Sequence, residues 1–256
     1  MISPKASIGA SCTIAASAII HDNVTLGAGS TVGEFCILGH PALGDAAGQM
    51  LTIGEGALIR SHTVIYEGSN FGPQLRVGHS SMLREGIVAG INFQVGSFND
   101  LEGDTTVGDW TRFHSNVHIG RGAVIGSFVW IFPYVVLTND PLPPSWMKEG
   151  VTVGDGAAIC TSAVVLPGAT IGRGAFVAAM TRAKGDVPPA ALVIGGEGKI
   201  IGTIDKLKHK ASGKQHPWMS HAAGNYPPEA QERIRALHAQ VLADIEATKA
   251  ALAKAA

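Results

Sequence analysis

Two histidines stand at neighbouring positions of a repeated sequence pattern. Histidine exchanges a proton near neutral pH more readily than any other side chain. Of the ten histidines in the chain, His79 lies two residues, and His114 one residue, beyond an apolar residue of the repeat. Either could act as a general base. Either could instead hydrogen-bond to a carbonyl of its own turn, so the sequence alone leaves both interpretations open.

Glu85 is the third candidate for a catalytic role. It follows His79 by one six-residue unit, so it could orient or polarise a base. An ion pair with Arg84 or Arg121 is the alternative, and it is the more common arrangement for a surface glutamate.

Polar residues also open a proline-rich stretch late in the chain. Asn139 and Asp140 precede Pro141 and could bind the hydroxyl or amino groups of a small-molecule substrate. An Asx turn before a proline is the alternative role for Asp140.

The elements that position these side chains must repeat with the strict six-residue period of the sequence. A helix of 3.6 residues per turn cannot keep such a period on one face, whereas a coil of three short strands can. Hexapeptide repeats are typical of a parallel β-helix, in which residues 18 apart lie on neighbouring coils about 4.8 Å apart. His79 and His114 are therefore predicted to lie two coils, or roughly 10 Å, apart on adjoining columns. The apolar positions between the two breaks of the register are Ile53, Ile59, Ile65, Phe71, Val77, Leu83, Ala89, Val95, Leu101, Val107, Phe113, Ile119, Ile125, Ile131 and Leu137.

The register predicts the domain organisation. It covers residues 1–200, breaks at loops 39–52 and 138–152, and is expected to end at the prolines of 186–189. Residues 201–256 form an irregular segment followed by a helix from Glu229 to about Ala255, whose apolar stripe should pack on the prism or on a neighbouring subunit. That stripe consists of Ile234, Leu237, Val241, Leu242, Ile245 and Leu252.

Composition narrows the class of function. Charged residues make up 15% of the chain and the net charge is −1, which argues against a nucleic-acid or membrane-surface partner. The three cysteines have no paired spacing, and neither a signal peptide nor a long apolar run is present, so a cytoplasmic protein is expected. The histidines of residues 209–221 lack the spacing of a zinc site, and no metal is expected.

The repeat, the proline-rich excursion and the closing residues 164–172 and 184–202 resemble the left-handed β-helix acyltransferases. Within that superfamily, residues 78–86, 112–117 and 137–141 are most similar to bacterial N-acetyltransferases that act on nucleotide-linked amino sugars. The resemblance implies an all-β, left-handed parallel β-helix with a C-terminal α-helix, an exception to the usual right-handed crossover. It also implies acetyl-CoA as acyl donor, a small-molecule acceptor, and a homotrimer with active sites between subunits.

Site residues follow from the same resemblance. Arg84 and Asn116 lie in the matching segments and join Asn139 and Asp140 as candidate substrate-binding residues. Two departures concern the site: Ser115 fills the place of the superfamily's common catalytic histidine, with His114 one residue earlier, and residues 196–198 replace a frequent Asn-Pro-Ala ending. The expected CoA-binding residues are Ala163, Gly168, Ala178, Ala179, Arg182 and Lys184.

Three alternatives remain open at this stage. Acylation of a hydroxyl, on a sugar or a small alcohol, is as compatible with the sequence as acylation of an amine. A γ-class carbonic anhydrase would place three histidines on zinc between subunits, and His79, His114 and His118 invite that interpretation, although the last two are four residues apart where that family has five. A non-catalytic trimeric scaffold is the third.

Overall fold

The computed structural model describes residues 1–255, which form a triangular prism of stacked coils with a C-terminal helix along one corner. Each coil contributes one short strand to each of three sheets in which successive coils pair parallel. The fold is the left-handed parallel β-helix. The all-β class and the C-terminal helix predicted from the sequence are both confirmed.

The first face of the prism, sheet I, has ten strands within the described residues. Its outward positions are mainly threonines and other small polar residues, as expected of a face in contact with water. The strands are Ser7–Ile8, Val24–Leu26, Leu51–Ile53, Asn70–Phe71, Val88–Ala89, Thr106–Val107, Val124–Ile125, Thr152–Val153, Thr170–Ile171 and Asp186–Val187.

Sheet II is the face on which the C-terminal segment packs. Its last strand pairs antiparallel with the one before it, which ends the stack of coils. The strands are Thr13–Ile14, Thr31–Val32, Leu58–Ile59, Arg76–Val77, Gln94–Val95, Arg112–Phe113, Trp130–Ile131, Ala158–Ile159, Phe176–Val177, Ala191–Ile194 and Lys199–Thr203.

Sheet III completes each coil and has mainly apolar outward residues. Its strands are Ile19–Ile20, Ile37–His40, Val64–Tyr66, Met82–Leu83, Asp100–Leu101, His118–Ile119, Val136–Leu137, Val164–Val165 and Arg182–Ala183.

The six-residue period works because one apolar residue of each unit fills the prism and the next turns the corner. Backbone hydrogen bonds then join coils, as where Gly78 N–H donates to the Val95 carbonyl at 2.8 Å. Successive coils approach so closely that a Cβ on Gly78 would lie 2.5 Å from the carbonyl carbon of Gly96. Glycine at this corner position is therefore a steric requirement.

The ladder extends further than the register predicted. Residues 39–40 and 51–52 belong to strands, so the first loop is shorter than the predicted 39–52. The prolines at 188–189 do not end the coils, because Asp186–Val187 pairs with sheet I and Ala191–Ile194 continues sheet II after them. A proline at a turn removes no ladder hydrogen bond, which explains why the stack tolerates it.

The C-terminal segment forms a second apolar core against the prism. It contains α1 (Met219–Ala222) and α2 (Pro228–Ala255), together with short 3₁₀ turns at Ile204–Lys206 and Ala223–Asn225; another 3₁₀ turn, Gly44–Ala46, lies in the first loop. Ile234, Val241 and Ile245 of α2 are buried, whereas Leu242 is 47% exposed. Leu242 was wrongly placed in the apolar stripe, because a residue next to Val241 points about 100° away around the helix.

Candidate functional site

Sheet II carries a groove whose character changes along the prism axis. The outward residue of each strand lies beside that of the next coil, so the row can be read directly from the register. Arg76 and Arg112 make one end cationic, Trp130 lies in the middle, and Phe176 makes the other end apolar. The cationic end encloses a cavity of about 270 Å³ lined by Arg76, Gln94, Val95, Gly96, Arg112, Phe113, His114, Ser115 and Trp130.

His114 lies where the cationic and apolar parts of this groove meet. Its ring stacks on Phe132 with centroids 4.8 Å apart and an interplanar angle of 12°. Burial, and then the positive charge of Arg112, lower the pKa of His114 below its usual value of 6.5. The imidazole is therefore uncharged at neutral pH and can accept a proton.

Arg112 is fixed between aromatic rings that come from distant parts of the chain. Its guanidinium carbon lies 4.9 Å from the centroid of Trp130 and 5.1 Å from that of Tyr226. Both distances are within the range of a cation–π contact. Docking of the C-terminal segment therefore holds a positive charge beside His114, where it could bind an anion such as a phosphate.

The backbone next to His114 offers an unused hydrogen-bond donor. A column of serines runs along this corner, and the N–H of His79 donates to Ser97 Oγ at 3.0 Å while that of Ser97 donates to Ser115 Oγ at 3.3 Å. Pro133 occupies the next place in the column. Within residues 1–255, the Ser115 N–H consequently donates to no protein acceptor.

His79, the second candidate base, is exposed on the same corner. Its Nδ1 lies 2.9 Å from Ser61 Oγ. It is two coils from His114, which is about 10 Å, so the two histidines line one corner without touching.

Glu85 lies at a different corner of the prism, between sheets III and I, and it contacts arginines. It is 6% exposed and forms ion pairs with Arg84 at 3.0 Å and with Arg121. Burial alone would raise the pKa of Glu85, but hydrogen bonds from its own backbone N–H and from Arg121 hold it below its usual value. Within one chain, Glu85 orients neither histidine.

The predicted substrate-binding residues gather mostly at that same corner. Arg84, Asn139 and Asp140 line one cavity of about 270 Å³, together with Glu102, Arg121, Ser145, Met147 and Lys148. Asn139 Nδ2 donates to Glu102 Oε2 at 3.1 Å. Asn116 is the exception, because it lies on the corner of His114, with a left-handed φ of 59°.

Asp140 shapes the proline-rich loop. Its carboxylate accepts hydrogen bonds from the N–H groups of Ser145 at 2.8 Å and Leu142 at 3.0 Å. The hydroxyl and N–H of Ser145 lower the pKa of Asp140. This is the Asx-type turn that the sequence allowed, and it fixes the loop that presents Asn139.

His118 is the histidine that the carbonic anhydrase alternative would place on zinc together with His79 and His114. On the outward face of sheet III its Nδ1 lies 3.3 Å from Asp100 Oδ2, and its Nε2 lies 3.8 Å from Glu102 Oε1. Asp100 and His118 are 18 residues apart, so the column rule would have identified this pair. Within residues 1–255, no three His, Cys, Asp or Glu side chains are grouped as metal ligands.

Within one chain, the predicted CoA-binding residues do not form one surface. The side chain of Ala163 is fully buried inside the prism and cannot contact a ligand. Ala178 and Ala179 lie on the corner between sheets II and III, whereas Gly168 and Lys184 lie on the corner between sheets III and I. Arg182, between them on sheet III, pairs with Glu197 at 2.6 Å.

Several residues of the groove were missed from sequence. Arg76, Arg112 and Trp130 occupy outward strand positions 36 and 18 residues apart, which are multiples of 18, so the column rule could have grouped them. Trp218 and His216 come from the irregular segment, for which the period gives no position.

No protein-family model matches the chain. Curated relatives include bifunctional protein GlmU from Corynebacterium aurimucosum, 27% identical over 204 residues that make up 78% of this chain and 39% of that protein. The same-named protein from Brevibacillus brevis is 32% identical over 200 residues, 77% of this chain and 41% of that protein. The chain thus spans about two fifths of the length of these relatives.

Among solved structures, UDP-N-acetylglucosamine acyltransferase from Campylobacter jejuni is similar to this chain, with 14% sequence identity and a TM-score of 0.40. The match covers 91% of this chain and 81% of the chain of that enzyme. Helices that could cross a membrane are lacking in the part of the chain that the structure describes.

Proposed function

We propose, from the premise that this chain is a left-handed β-helix protein of the hexapeptide-repeat superfamily, that it is an acyl-CoA-dependent N-acyltransferase. The proposed acceptor is the amino group of a nucleotide-linked amino sugar. The observation that carries the proposal is the uncharged His114 between the arginine-lined cavity and the apolar end of the groove on sheet II. The class of acceptor comes from the resemblance of residues 78–86, 112–117 and 137–141.

His114 acts as the general base in this proposal. It takes a proton from the acceptor amine as the nitrogen attacks the thioester carbonyl, and the N–H of Ser115 donates to the oxyanion that forms. The carbon–sulfur bond then breaks, the amide bond remains, and the imidazolium returns the proton to the leaving thiolate. Arg76 and Arg112 bind phosphate groups at the cationic end of the groove.

The same proposal includes a homotrimer. Sheet III has apolar outward residues along most of its length, which a lone prism would expose to water. The corner between sheets II and III also presents large apolar side chains: Phe35, Phe98, Tyr134 and Met180 are each more than half exposed. Burial of both surfaces against neighbouring copies accounts for these features.

Three-fold symmetry with sheet III facing the axis would join the two halves of the site. The corner between sheets II and III of one subunit then meets the corner between sheets III and I of the next. His114 and Asn116 from one chain would therefore face Arg84 and Asn139 from its neighbour. This explains why the candidate residues divide between two corners of one chain.

A transfer assay tests the function. Thiol release from acetyl-CoA and longer acyl-CoA thioesters is measured with a panel of UDP- and dTDP-linked amino sugars. His114→Ala should lower kcat/KM by roughly 10²–10⁴, and His79→Ala, the matched exposed histidine, by less than tenfold. Absence of thiol release with every acceptor, or equal loss in the two variants, would contradict the proposal.

A further inference from the structure

The C-terminal segment closes a second cavity over sheet II. This cavity has a volume of about 300 Å³, and both the prism and the residues around α1 form its walls. Its lining is almost entirely apolar and consists of Trp130, Phe132, Ala158, Cys160, Phe176, His216, Trp218 and Ala222.

The few polar groups in this lining are neutral or already bonded. Trp218 Nε1 donates to the Gly156 carbonyl at 2.9 Å, away from the cavity. Burial, with the nearby His221, lowers the pKa of His216 to about 4, so its ring is uncharged at neutral pH. Burial raises the pKa of Cys160 to about 12, so its thiol stays protonated. The lining therefore carries no charge at neutral pH, and its remaining hydrogen-bonding side chains, those of His216, Cys160 and Trp130, are all neutral.

The position of this cavity relates it to the proposed base. Phe132, one of its walls, stacks on His114, and Trp130 lines both this cavity and the arginine-lined one. Along sheet II the order is therefore arginines, His114 and then the apolar cavity. A thioester carbonyl held at His114 could direct its carbon chain into the apolar end.

We propose that this cavity binds the hydrocarbon chain of the acyl donor, so that the transferred group is longer than acetyl. The volume is about ten times the roughly 30 Å³ that a water molecule occupies in the liquid, which is room for a chain of roughly four to eight carbons. The resemblance to the nucleotide-sugar N-acetyltransferases implies acetyl-CoA instead. The inference rests on the proposed acyl transfer and names the acyl group for it.

A series of acyl-CoA thioesters with two to twelve carbons tests the inference. Each methylene buried in the cavity should tighten binding by about fourfold, so affinity measured by calorimetry should rise from acetyl to about octanoyl and then level off. Coenzyme A without an acyl group is included as the reference ligand.

Two substitutions fill the cavity from opposite walls. Cys160→Phe, on the prism, and Ala222→Phe, on α1, should each bring the affinity for octanoyl-CoA down to that for acetyl-CoA while leaving acetyl-CoA binding within about twofold. Thr106→Phe, on the exposed face of sheet I, adds the same ring away from the cavity and should change neither affinity. Circular dichroism and melting temperature identify any variant that fails to fold.

The outcomes of these experiments distinguish failure of the cavity assignment from failure of the proposed acyl transfer. Equal affinity for all chain lengths, or chain-length dependence that survives in both filled variants, would overturn the cavity assignment and leave acyl transfer standing. Failure of every CoA thioester to bind would overturn both.

Discussion

The surroundings of His114 predict how the activity depends on pH. Burial and Arg112 both favour its neutral form, so the proportion of active base falls only when the pH drops below the usual histidine pKa of 6.5. The acidic limb of kcat/KM for the free enzyme should therefore have its midpoint below pH 6.5. Arg112→Gln removes one of the two causes and should move that midpoint to higher pH. A midpoint above 6.5 in the wild type, or a midpoint unmoved in the variant, would contradict the assignment of His114 as base.

Residue positions could be predicted better than residue contacts. The 18-residue column rule placed His79 and His114 on one corner, and it would also have paired Asp100 with His118. It could not choose between a histidine and an arginine as the partner of Glu85, since that depends on which corner each side chain occupies and how long it is. It also missed that Ala163 fills the interior, because small residues occur both inside the coils and on their surface.

At the scale of elements, α2 completes the second core, in which Tyr226, one of the two rings beside Arg112, is buried. Ile234 is fully buried, and Val241 packs so closely on Gly174 that a Cβ there would lie 2.7 Å from the valine. The Glu229 start predicted for this helix agrees with the observed Pro228–Ala255 within one residue. The segment before α2 could not be predicted, because neither a period of six nor a helical period orders residues 201–218.

Truncation of a buried side chain of α2 should lower the stability of the protein. Ile234→Ala is expected to lower the free energy of unfolding by about 2–5 kcal/mol, because a cavity replaces the lost side chain. Leu242→Ala, on the exposed side of the same helix, should change it by no more than about 0.5 kcal/mol. Urea denaturation monitored by tryptophan fluorescence measures both. Equal effects of the two substitutions would mean that the helix does not pack as described.

At the scale of the whole molecule, the apolar outward face of sheet III predicts a trimer. Light scattering after gel filtration should give about 79 kDa, three times the chain mass of 26.4 kDa. Met82→Arg places a charge on this face and should shift the protein to smaller species. Val88→Arg, on the exposed face of sheet I, is the matched control and should leave the mass unchanged. A wild-type monomer would remove the basis for a site shared between subunits.

A shared site makes a second prediction about the assembly. His114→Ala and Asn139→Ala affect different halves of each site, so mixed trimers contain some interfaces with both halves intact. Random reassociation of equal amounts should restore about a quarter of the sites. Activity of the mixture no greater than that of either variant alone would show that each chain carries a complete site.

Calorimetric titration of the wild-type protein with a CoA thioester tests the central claim of acyl transfer most directly. The acyltransferase account predicts saturable binding of one thioester per chain. It also predicts that His114→Ala weakens this binding far less than it lowers the rate of turnover. Absence of binding at millimolar acetyl-CoA and octanoyl-CoA would contradict it and leave a non-catalytic trimer as the better explanation.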